Sequence, residues 1–293
     1  MQLSRLLPAK GLSRNFLMQM SFPVFTQASR AMRNNVFYGV MALLLTACAV
    51  SPTGRKQLLL MNNQQINTMG VQAFNQLKQT KPIDQDPRTN TYVQCVAGAI
   101  TSQLGGSRSP WEVRVFQDKS ANAFALPGGK IGVNTGLFQV ARNPDQLAAV
   151  IGHEIGHVLA NHSNERTSQQ VMVQGGLAAV DAFYGAKLGA SHDAVMQGLG
   201  LGAEYGVLMP YSRTQESEAD IIGLELMARA GFDPRQSLQL WQNMAASGGG
   251  QPPEFLSTHP GYDTRMRDLQ ANMGKAMQLY QAAQAQGRRP NCS

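Results

Sequence analysis

The sequence predicts a mainly helical α+β domain that carries a small antiparallel sheet. Apolar residues recur at helical spacing over most of the chain after Asn143, and short β-prone runs are confined to the stretch between Trp111 and Val133. The chain has 293 residues, 43% of them hydrophobic and 15% charged, which is enough to bury one core of domain size. The sequence contains no repeat of about 20–50 residues, which argues against an attached solenoid.

The best-marked helix is predicted to begin at Pro144 and to run to about Asn161. Asn143 is placed to cap it, Pro144 fits the first helical position, and Gln146 stands where a capping-box partner is expected. Helices are also expected at 63–80, 87–104, 165–190, 194–208, 213–230, 235–247 and 263–285. The runs predicted as strands are WEVRVFQ, NAFAL and KIGVN, with a Pro127-Gly128-Gly129 turn between the last two.

The N-terminal 47 residues are interpreted as an upstream segment followed by a bacterial lipoprotein signal peptide. An apolar run at 36–45 precedes Leu45-Thr46-Ala47-Cys48, which resembles a lipobox, so we expect Cys48 to be acylated. The alternative is an ordinary secretory signal with an incidental cysteine. Lipid attachment predicts localisation to the periplasmic face of the outer membrane. We expect a tether at 48–62, a folded domain at 63–285 and a polar tail at 286–293.

The basic character of the chain belongs mainly to this N-terminal segment. The formal net charge is +7, but residues 1–47 hold five basic residues and no acidic ones, and the remainder has a net charge of +2. A charge distribution of this kind predicts no nucleic-acid partner.

A helical segment, AVIGHEIGHVLANHS (149–163), combines two histidines and a glutamate within an apolar stretch. His153 and His157 are four residues apart and therefore share one helix face. Glu154 follows the first histidine. The pattern H-E-x-x-H on a helix is typical of zinc metalloproteases, in which the histidines bind the metal and the glutamate is the general base. The alternative is a pair of buried histidines that bond to backbone or carboxylate groups.

A second pair of residues at helical spacing supplies a candidate third ligand. Glu216 and Asp220 are four apart in YSRTQESEADIIGLELM, so Glu216 can reach the metal while Asp220 orients a ligand histidine. Glu218 lies about 200° around the helix from Glu216 and is expected to point elsewhere. Gly223 would allow another helix to approach closely. The alternative is an exposed acidic helix start, favoured by the helix dipole.

The segments HEIGHVLANH and SRTQESEAD together resemble the HtpX and CAAX-prenyl-protease type of zinc metallopeptidase, a gluzincin family. NAFALPGGKIGVNTGLF and STHPGYDTR are similar to further family segments, and the resemblance extends over about residues 60–280. We expect the periplasmic lipoprotein branch, since no membrane span is predicted after the signal. The resemblance implies a zincin-like fold and one Zn²⁺ held by His153, His157 and Glu216, with Glu154 as base and Asp220 behind the ligands.

Further residues are expected to bind substrate. His259 and Arg265 are candidates for stabilising the oxyanion, the alternative being a loop histidine and a surface arginine. An edge strand containing Asn122, Ala123 and Phe124 is expected to bind extended substrate by strand addition. His162 lies about 140° from His157 and is interpreted as structural.

The two remaining cysteines are expected to pair. Cys95 and Cys292 would form a disulfide in an oxidising compartment, which would pin the polar C-terminal tail to the domain. Two unpaired thiols are the alternative.

These expectations predict a zinc endopeptidase that acts on unfolded or misfolded envelope proteins for quality control. Zinc would lower the pKa of water to about 7, so that Glu154 can accept its proton. Expected partners are those substrates, the lipid membrane through Cys48, and the outer-membrane protein assembly machinery. The alternative is a latent or non-proteolytic chaperone or assembly factor for outer-membrane proteins that uses the same cleft.

Overall fold

The computed structural model describes residues 48–105, 111–188, 212–247, 255, 259 and 261–292. The helix expected at 194–208 and the segment 1–47 lie outside these residues. The described part of the chain is one compact unit that begins at Cys48.

Helices dominate this unit. They are α1 (Asn63–Thr80), α2 (Pro87–Thr101), α3 (Pro144–Leu159), α4 (His162–Leu188), α5 (Arg213–Ala230), α6 (Gln236–Ser247) and α7 (Tyr262–Ala285). Short 3₁₀ turns occupy Ser102–Leu104 and Thr135–Gln139. The strands are β1 (Cys48–Val50), β2 (Lys56–Leu58), β3 (Glu112–Phe116), β4 (Ala123–Leu126) and β5 (Lys130–Asn134). The predicted fold class is confirmed.

Capping residues explain where the two central helices begin. Asn143 accepts a hydrogen bond from the backbone N–H of Gln146 at the start of α3, as predicted. Ser212 and Gln215 form a capping box at the start of α5. This helix ends before Gly231, whose φ of 94° is the left-handed conformation that favours glycine.

The three-stranded sheet is mixed, with the strand order β3-β5-β4. Strands β4 and β5 form the predicted antiparallel hairpin, in which Ala123 pairs with Val133. Strand β3 instead runs parallel to β5, which corrects the expectation for that pair. After β3, the chain skips the adjacent position in the sheet and forms β4 one position further away. Strand β5 then occupies the position between β3 and β4. Strand β4 therefore lies at an edge of the sheet.

The segment predicted as a tether is folded onto the domain over most of its length. Strands β1 and β2 form an antiparallel hairpin, in which Cys48 pairs with Leu58. Arg55, which lies in the turn between β1 and β2, forms ion pairs with Glu165 and Glu218. The side-chain amide of Gln57 donates to the carbonyl of Ala160 at 2.5 Å. Because these contacts join the hairpin to α4, α5 and the turn after α3, residues 48–58 belong to the folded unit.

Helices α3 and α5 cross with their backbones in close contact. A Cβ atom on Gly223 would lie 2.6 Å from the backbone nitrogen of His153, and one on Gly152 would lie 2.8 Å from the carbonyl oxygen of Gly223. Only glycine permits so short an approach. This crossing brings the histidines of α3 next to the carboxylates of α5, as the sequence position of Gly223 suggested.

A disulfide links Cys95 on α2 to Cys292, the two cysteines expected to pair, with their Cα atoms 5.6 Å apart. Cys292 is buried, so the tail is held against the domain. None of the described helices has both the length and the apolar composition that a membrane span needs.

Candidate active site

Two histidines and a glutamate meet at the crossing of α3 and α5. The Nε2 atoms of His153 and His157 are 3.0 Å apart. The carboxylate of Glu216 lies 3.5 Å from the first and 3.4 Å from the second. All three side chains are buried. The i, i+4 spacing on α3 and the helical phase of α5 therefore produce the predicted cluster.

The other ring nitrogen of each histidine is occupied by a polar partner. Nδ1 of His153 lies 2.9 Å from Oδ1 of Asp220, and Nδ1 of His157 lies 2.8 Å from Nδ1 of His162. Burial lowers the pKa of both histidines well below its ordinary value, and nearby cationic or imidazole groups, led by Arg265 for His153 and by His153 for His157, lower it further. Neutral imidazole is the form that binds a metal.

The donor set fits a divalent cation. If both Nδ1 atoms carry the protons, the two Nε2 lone pairs face each other beside the carboxylate of Glu216, which is also in contact with Arg265. A cation at this point would relieve the repulsion. Ligand atoms of His153, His157, Glu216 and His259 all lie within 4.8 Å of one another. Imidazole and carboxylate ligands in such a group suit zinc.

Glu154 is buried beside this group. Its Oε1 atom has no hydrogen-bond partner among the described residues. Its carboxylate accepts a hydrogen bond from the backbone N–H of Ala125 on β4. Burial raises the pKa of Glu154 to about 7, against the lowering effect of His259. A carboxylate with this pKa is suited to both accept and release a proton near neutral pH.

His259 is placed within the ligand group rather than at a separate oxyanion position. Its Nδ1 atom is 3.1 Å from Oε1 of Glu216 and 3.2 Å from Nε2 of His153. Its ring stacks on Phe255 at a centroid distance of 4.5 Å. Structural zinc sites use four protein ligands, whereas catalytic sites leave one position open. Sequence reasoning missed this placement because no spacing rule connects residue 259 to α3.

Arg265 is not placed as expected. Its Nε donates to Oδ2 of Asp220 at 2.6 Å, and its Nη1 lies 2.8 Å from Oε2 of Glu216. The guanidinium also lies over the ring of Trp241, 3.9 Å from the centroid, and the residue is 1% exposed. Since its donors are engaged behind the ligands, Arg265 neutralises these carboxylates rather than contacting an oxyanion. Its predicted catalytic role is corrected accordingly.

The register of β4 alters which residues face substrate. Hydrogen-bonded pairs alternate along an antiparallel ladder, and Asn134 donates its backbone N–H to Asn122. The backbone groups of Asn122 and Phe124 therefore face β5, and those of Ala123 and Ala125 face the free edge. Of the predicted trio, only Ala123 has the required orientation. Ala125, which already reaches Glu154, was missed.

Glu218 points away from the ligand group, as its helical phase predicted, but it is 3% exposed rather than solvent-facing. Its Oε2 atom lies 3.1 Å from Nε2 of His162 and 2.9 Å from Nε of Arg55. Burial raises its pKa, but hydrogen bonds from residues that include Ser51 and Thr53 outweigh this effect and lower the pKa to about 2. The alternation of acids at 216, 218 and 220 is the sequence signal that could have indicated two buried faces.

The comparisons with known proteins agree with this geometry. A family model described as Peptidase family M48 matches residues 87–273, well over half of the chain. The chain belongs to peptidase family M48. An HExxH helix with an acidic residue on a second helix places it among the metallopeptidases of that family, with the zincin-like, gluzincin architecture that the resemblance implied.

Three relatives show which known proteins this M48 chain is similar to. It is 38% identical over 62% of its length to Mitochondrial metalloendopeptidase OMA1 of Schizosaccharomyces pombe. It is 30% identical over 74% of its length to the Beta-barrel assembly-enhancing protease of Yersinia pestis. It is 28% identical over 68% of its length to the protein of the same name from Escherichia coli. The matches cover 52%, 46% and 42% of those proteins, so the chain spans about half the length of these relatives.

Proposed function

We propose that this M48 chain is a zinc-dependent endopeptidase of the bacterial cell envelope that hydrolyses peptide bonds in unfolded or misfolded envelope proteins. The observation that carries the proposal is the buried carboxylate of Glu154 beside His153, His157 and Glu216. Metal ligands and an adjacent base are the components that peptide hydrolysis requires.

Different residues of the chain bind the metal, transfer the proton and bind the substrate. When bound by the two histidines and Glu216, zinc would supply the Lewis acid that polarises the scissile carbonyl and makes water acidic. Glu154 accepts the proton of the attacking water and delivers it to the leaving amine. The backbone carbonyls of Ala123 and Ala125 on β4 accept main-chain hydrogen bonds from extended substrate, because the N–H groups of these two residues already donate to Asn122 and Glu154. Because such bonds do not read side chains, unfolded segments of varied sequence are suitable substrates.

The envelope location is supported by the N-terminal sequence and by two of the relatives. The lipobox-like Leu45-Thr46-Ala47-Cys48 favours a lipid anchor on the periplasmic face of the outer membrane. The Yersinia pestis and Escherichia coli relatives are named for β-barrel assembly, which suggests the outer-membrane assembly machinery as a partner. A disulfide is consistent with an oxidising compartment.

Labelled palmitate should enter the wild type but not Cys48→Ser, and label retained by the variant would contradict the anchor.

A second candidate is a latent form of the same enzyme that binds clients without cutting them. His259 favours it, because this residue lies among the ligands and would complete a four-ligand site. In this form the cleft holds unfolded outer-membrane proteins for assembly. Displacement of His259 would then be required before hydrolysis.

Cleavage of an unfolded β-barrel outer-membrane protein by the purified full chain tests the proposal. We expect fragments with zinc present and none after chelation. Glu154→Gln should retain zinc, because no ligand is removed, and should cut about 10²–10⁴-fold more slowly. Client binding without cleavage by the wild type would favour the latent form. Cleavage by Glu154→Gln at the wild-type rate would refute the assigned base.

A further inference from the structure

A chain of three buried polar side chains extends from the metal ligand His157 away from the ligand group. Nδ1 of His157 lies 2.8 Å from Nδ1 of His162, and Nε2 of His162 lies 3.1 Å from Oε2 of Glu218. The exposed fractions of these residues are 2%, 0% and 3%. The proposed peptidase chemistry does not use His162 or Glu218.

The hydrogen bonds between these three side chains must all donate in the same direction when His157 binds a metal. His157 can present the Nε2 lone pair to a metal only when its proton is on Nδ1. That proton is then donated to Nδ1 of His162, which must be the unprotonated nitrogen of its ring. The proton of His162 consequently lies on Nε2 and is donated to the carboxylate of Glu218. A carboxylate at the end of the chain thus selects the metal-binding tautomer of His157.

The other histidine ligand has the same support without an intermediate. Nδ1 of His153 lies directly against Oδ1 of Asp220, at 2.9 Å. Asp220 and Glu218 are on the same helix but about 200° apart, so they leave it on different sides. Asp220 reaches its histidine directly, whereas the imidazole of His162 spans the distance between Glu218 and His157.

The hairpin of β1 and β2 fixes Glu218, which is the member of this hydrogen-bonded series farthest from the ligand group. Glu218 accepts hydrogen bonds from Nε of Arg55 at 2.9 Å and from the hydroxyl of Thr53 at 2.5 Å. Nη1 and Nη2 of Arg55 donate to the two carboxylate oxygens of Glu165, at 2.6 and 2.7 Å. The turn between β1 and β2 therefore orients the carboxylate that His162 contacts.

We propose that His162 and Glu218 are positioning residues for His157, and that Arg55 of the N-terminal hairpin holds them in place. The proposal rests on the zinc site of the proposed function. Partners of this kind orient the ligand ring and raise its basicity, and their loss typically weakens metal binding about 10–100-fold.

Zinc affinity of the full chain, measured by competition with a chromophoric chelator, tests the proposal. His162→Phe preserves the ring volume and removes both nitrogens, so we expect zinc binding about 10–100-fold weaker than in the wild type. His162→Asn keeps an acceptor for His157 and should recover part of the loss. The absorption spectrum of the Co²⁺-loaded protein should also change in His162→Phe, because the ring of His157 loses its fixed orientation.

Glu225→Gln is the matched control. It neutralises a carboxylate on the same helix as Glu218 whose ion pairs are with Arg229 and Lys275, so zinc affinity should remain that of the wild type even where thermal stability falls. Circular dichroism of the metal-free proteins shows whether each variant is folded. If His162→Phe does not fold, Glu218→Gln replaces it in the test. This variant keeps the size of the side chain and removes its charge, and it should also weaken zinc binding, by a smaller factor.

The outcomes separate this inference from the proposed function. Wild-type zinc affinity in folded His162→Phe, or in Glu218→Gln where that variant replaces it, overturns the positioning role alone. Equal weakening in Glu225→Gln also overturns it, because the effect would then come from loss of any carboxylate on this helix and not from the contact with His162. Absence of zinc binding by the wild type overturns the proposed function together with this inference.

Discussion

Arg265 shows how much electrostatic work a single residue does at this site. Its guanidinium contacts two buried carboxylates, those of Asp220 and Glu216, and lies against the indole of Trp241. Planar guanidinium groups suit this combination of paired hydrogen bonds and ring stacking better than an ammonium group does. The side chain therefore stabilises a concentration of negative charge that the metal-free domain would otherwise have to bury unpaired.

Replacement of Arg265 by methionine should strongly destabilise the metal-free protein. Removing one member of a buried ion pair leaves the other charges uncompensated, which costs about 3–5 kcal/mol. Urea unfolding in the presence of a chelator measures this loss. Arg229→Met is the control, since Arg229 forms a half-exposed i, i+4 pair with Glu225, and it should change the free energy of unfolding by less than about 1 kcal/mol. Equal effects of the two substitutions would contradict the role given to Arg265.

Local spacing was sufficient to predict part of the site. His153, His157, Glu216 and Asp220 follow from the 3.6-residue helical period, which places residues four apart on one face. The placement of His259 depends on tertiary packing, since it belongs to a segment far from α3 in the sequence. The same is true of His162, whose position five residues after His157 gave no indication of a buried partner on α5.

At the scale of elements, the crossing of α3 and α5 determines the distance between histidines and carboxylates. Gly152 and Gly223 let the two backbones touch, and neither position has room for a side chain. Helix axes normally lie about 8–10 Å apart, with the closest approaches at small residues. Widening this crossing would separate Glu216 from His153 and His157.

Gly223→Ala should therefore reduce both stability and zinc affinity. The added Cβ would meet backbone atoms of His153, which cannot move as the end of a flexible side chain can. We expect a loss of about 1–3 kcal/mol from overpacking. Thermal unfolding and zinc titration check the two effects. Gly98→Ala on α2 is the control, because a Cβ there has nothing within 4 Å, and helix propensity should make it neutral or slightly stabilising. Unchanged zinc affinity in folded Gly223→Ala would mean that the crossing does not set the site geometry.

The helices were more predictable than the strand pairing. The bounds of α1 and α5 coincide with the predicted ranges because caps and apolar periodicity are local signals. The parallel pairing of β3 with β5 depends on the path of the chain between strands, which composition does not record. The docking of the hairpin at 48–58, a segment that the sequence predicts as a tether, depends on Glu165 and Glu218, which are more than a hundred residues away and give no local signal.

At the scale of the whole molecule, ion pairs make stability depend on pH. A hydrogen bond from Lys78, assisted by Lys130, lowers the pKa of Glu112 to about 2. A hydrogen bond from Lys81 does the same for Asp118. Since these folded-state pKa values lie below those of the unfolded chain, the carboxylates stabilise the fold above about pH 4.5, and this contribution is lost as the pH falls towards 2.

Glu112→Gln should accordingly reduce the acid sensitivity of the fold. In chelator-treated protein, where metal release adds nothing, its melting temperature should be lower than that of the wild type at pH 7, and the difference should shrink from about pH 4.5 downwards and be smallest near pH 2. The neutral amide cannot lose a charge as the pH falls, which is why the difference shrinks. A difference in melting temperature that stays constant from pH 7 to pH 3 would contradict the assignment.

The bond between Cys95 and Cys292 encloses nearly all of the active-site residues in one covalent ring of chain. A single backbone cut anywhere inside that ring leaves both fragments attached. Such a nicked molecule would run as one intact species on a non-reducing gel and would separate into two bands only after reduction. Comparison of samples with and without reductant therefore reveals cuts within this ring that a non-reducing gel alone does not show.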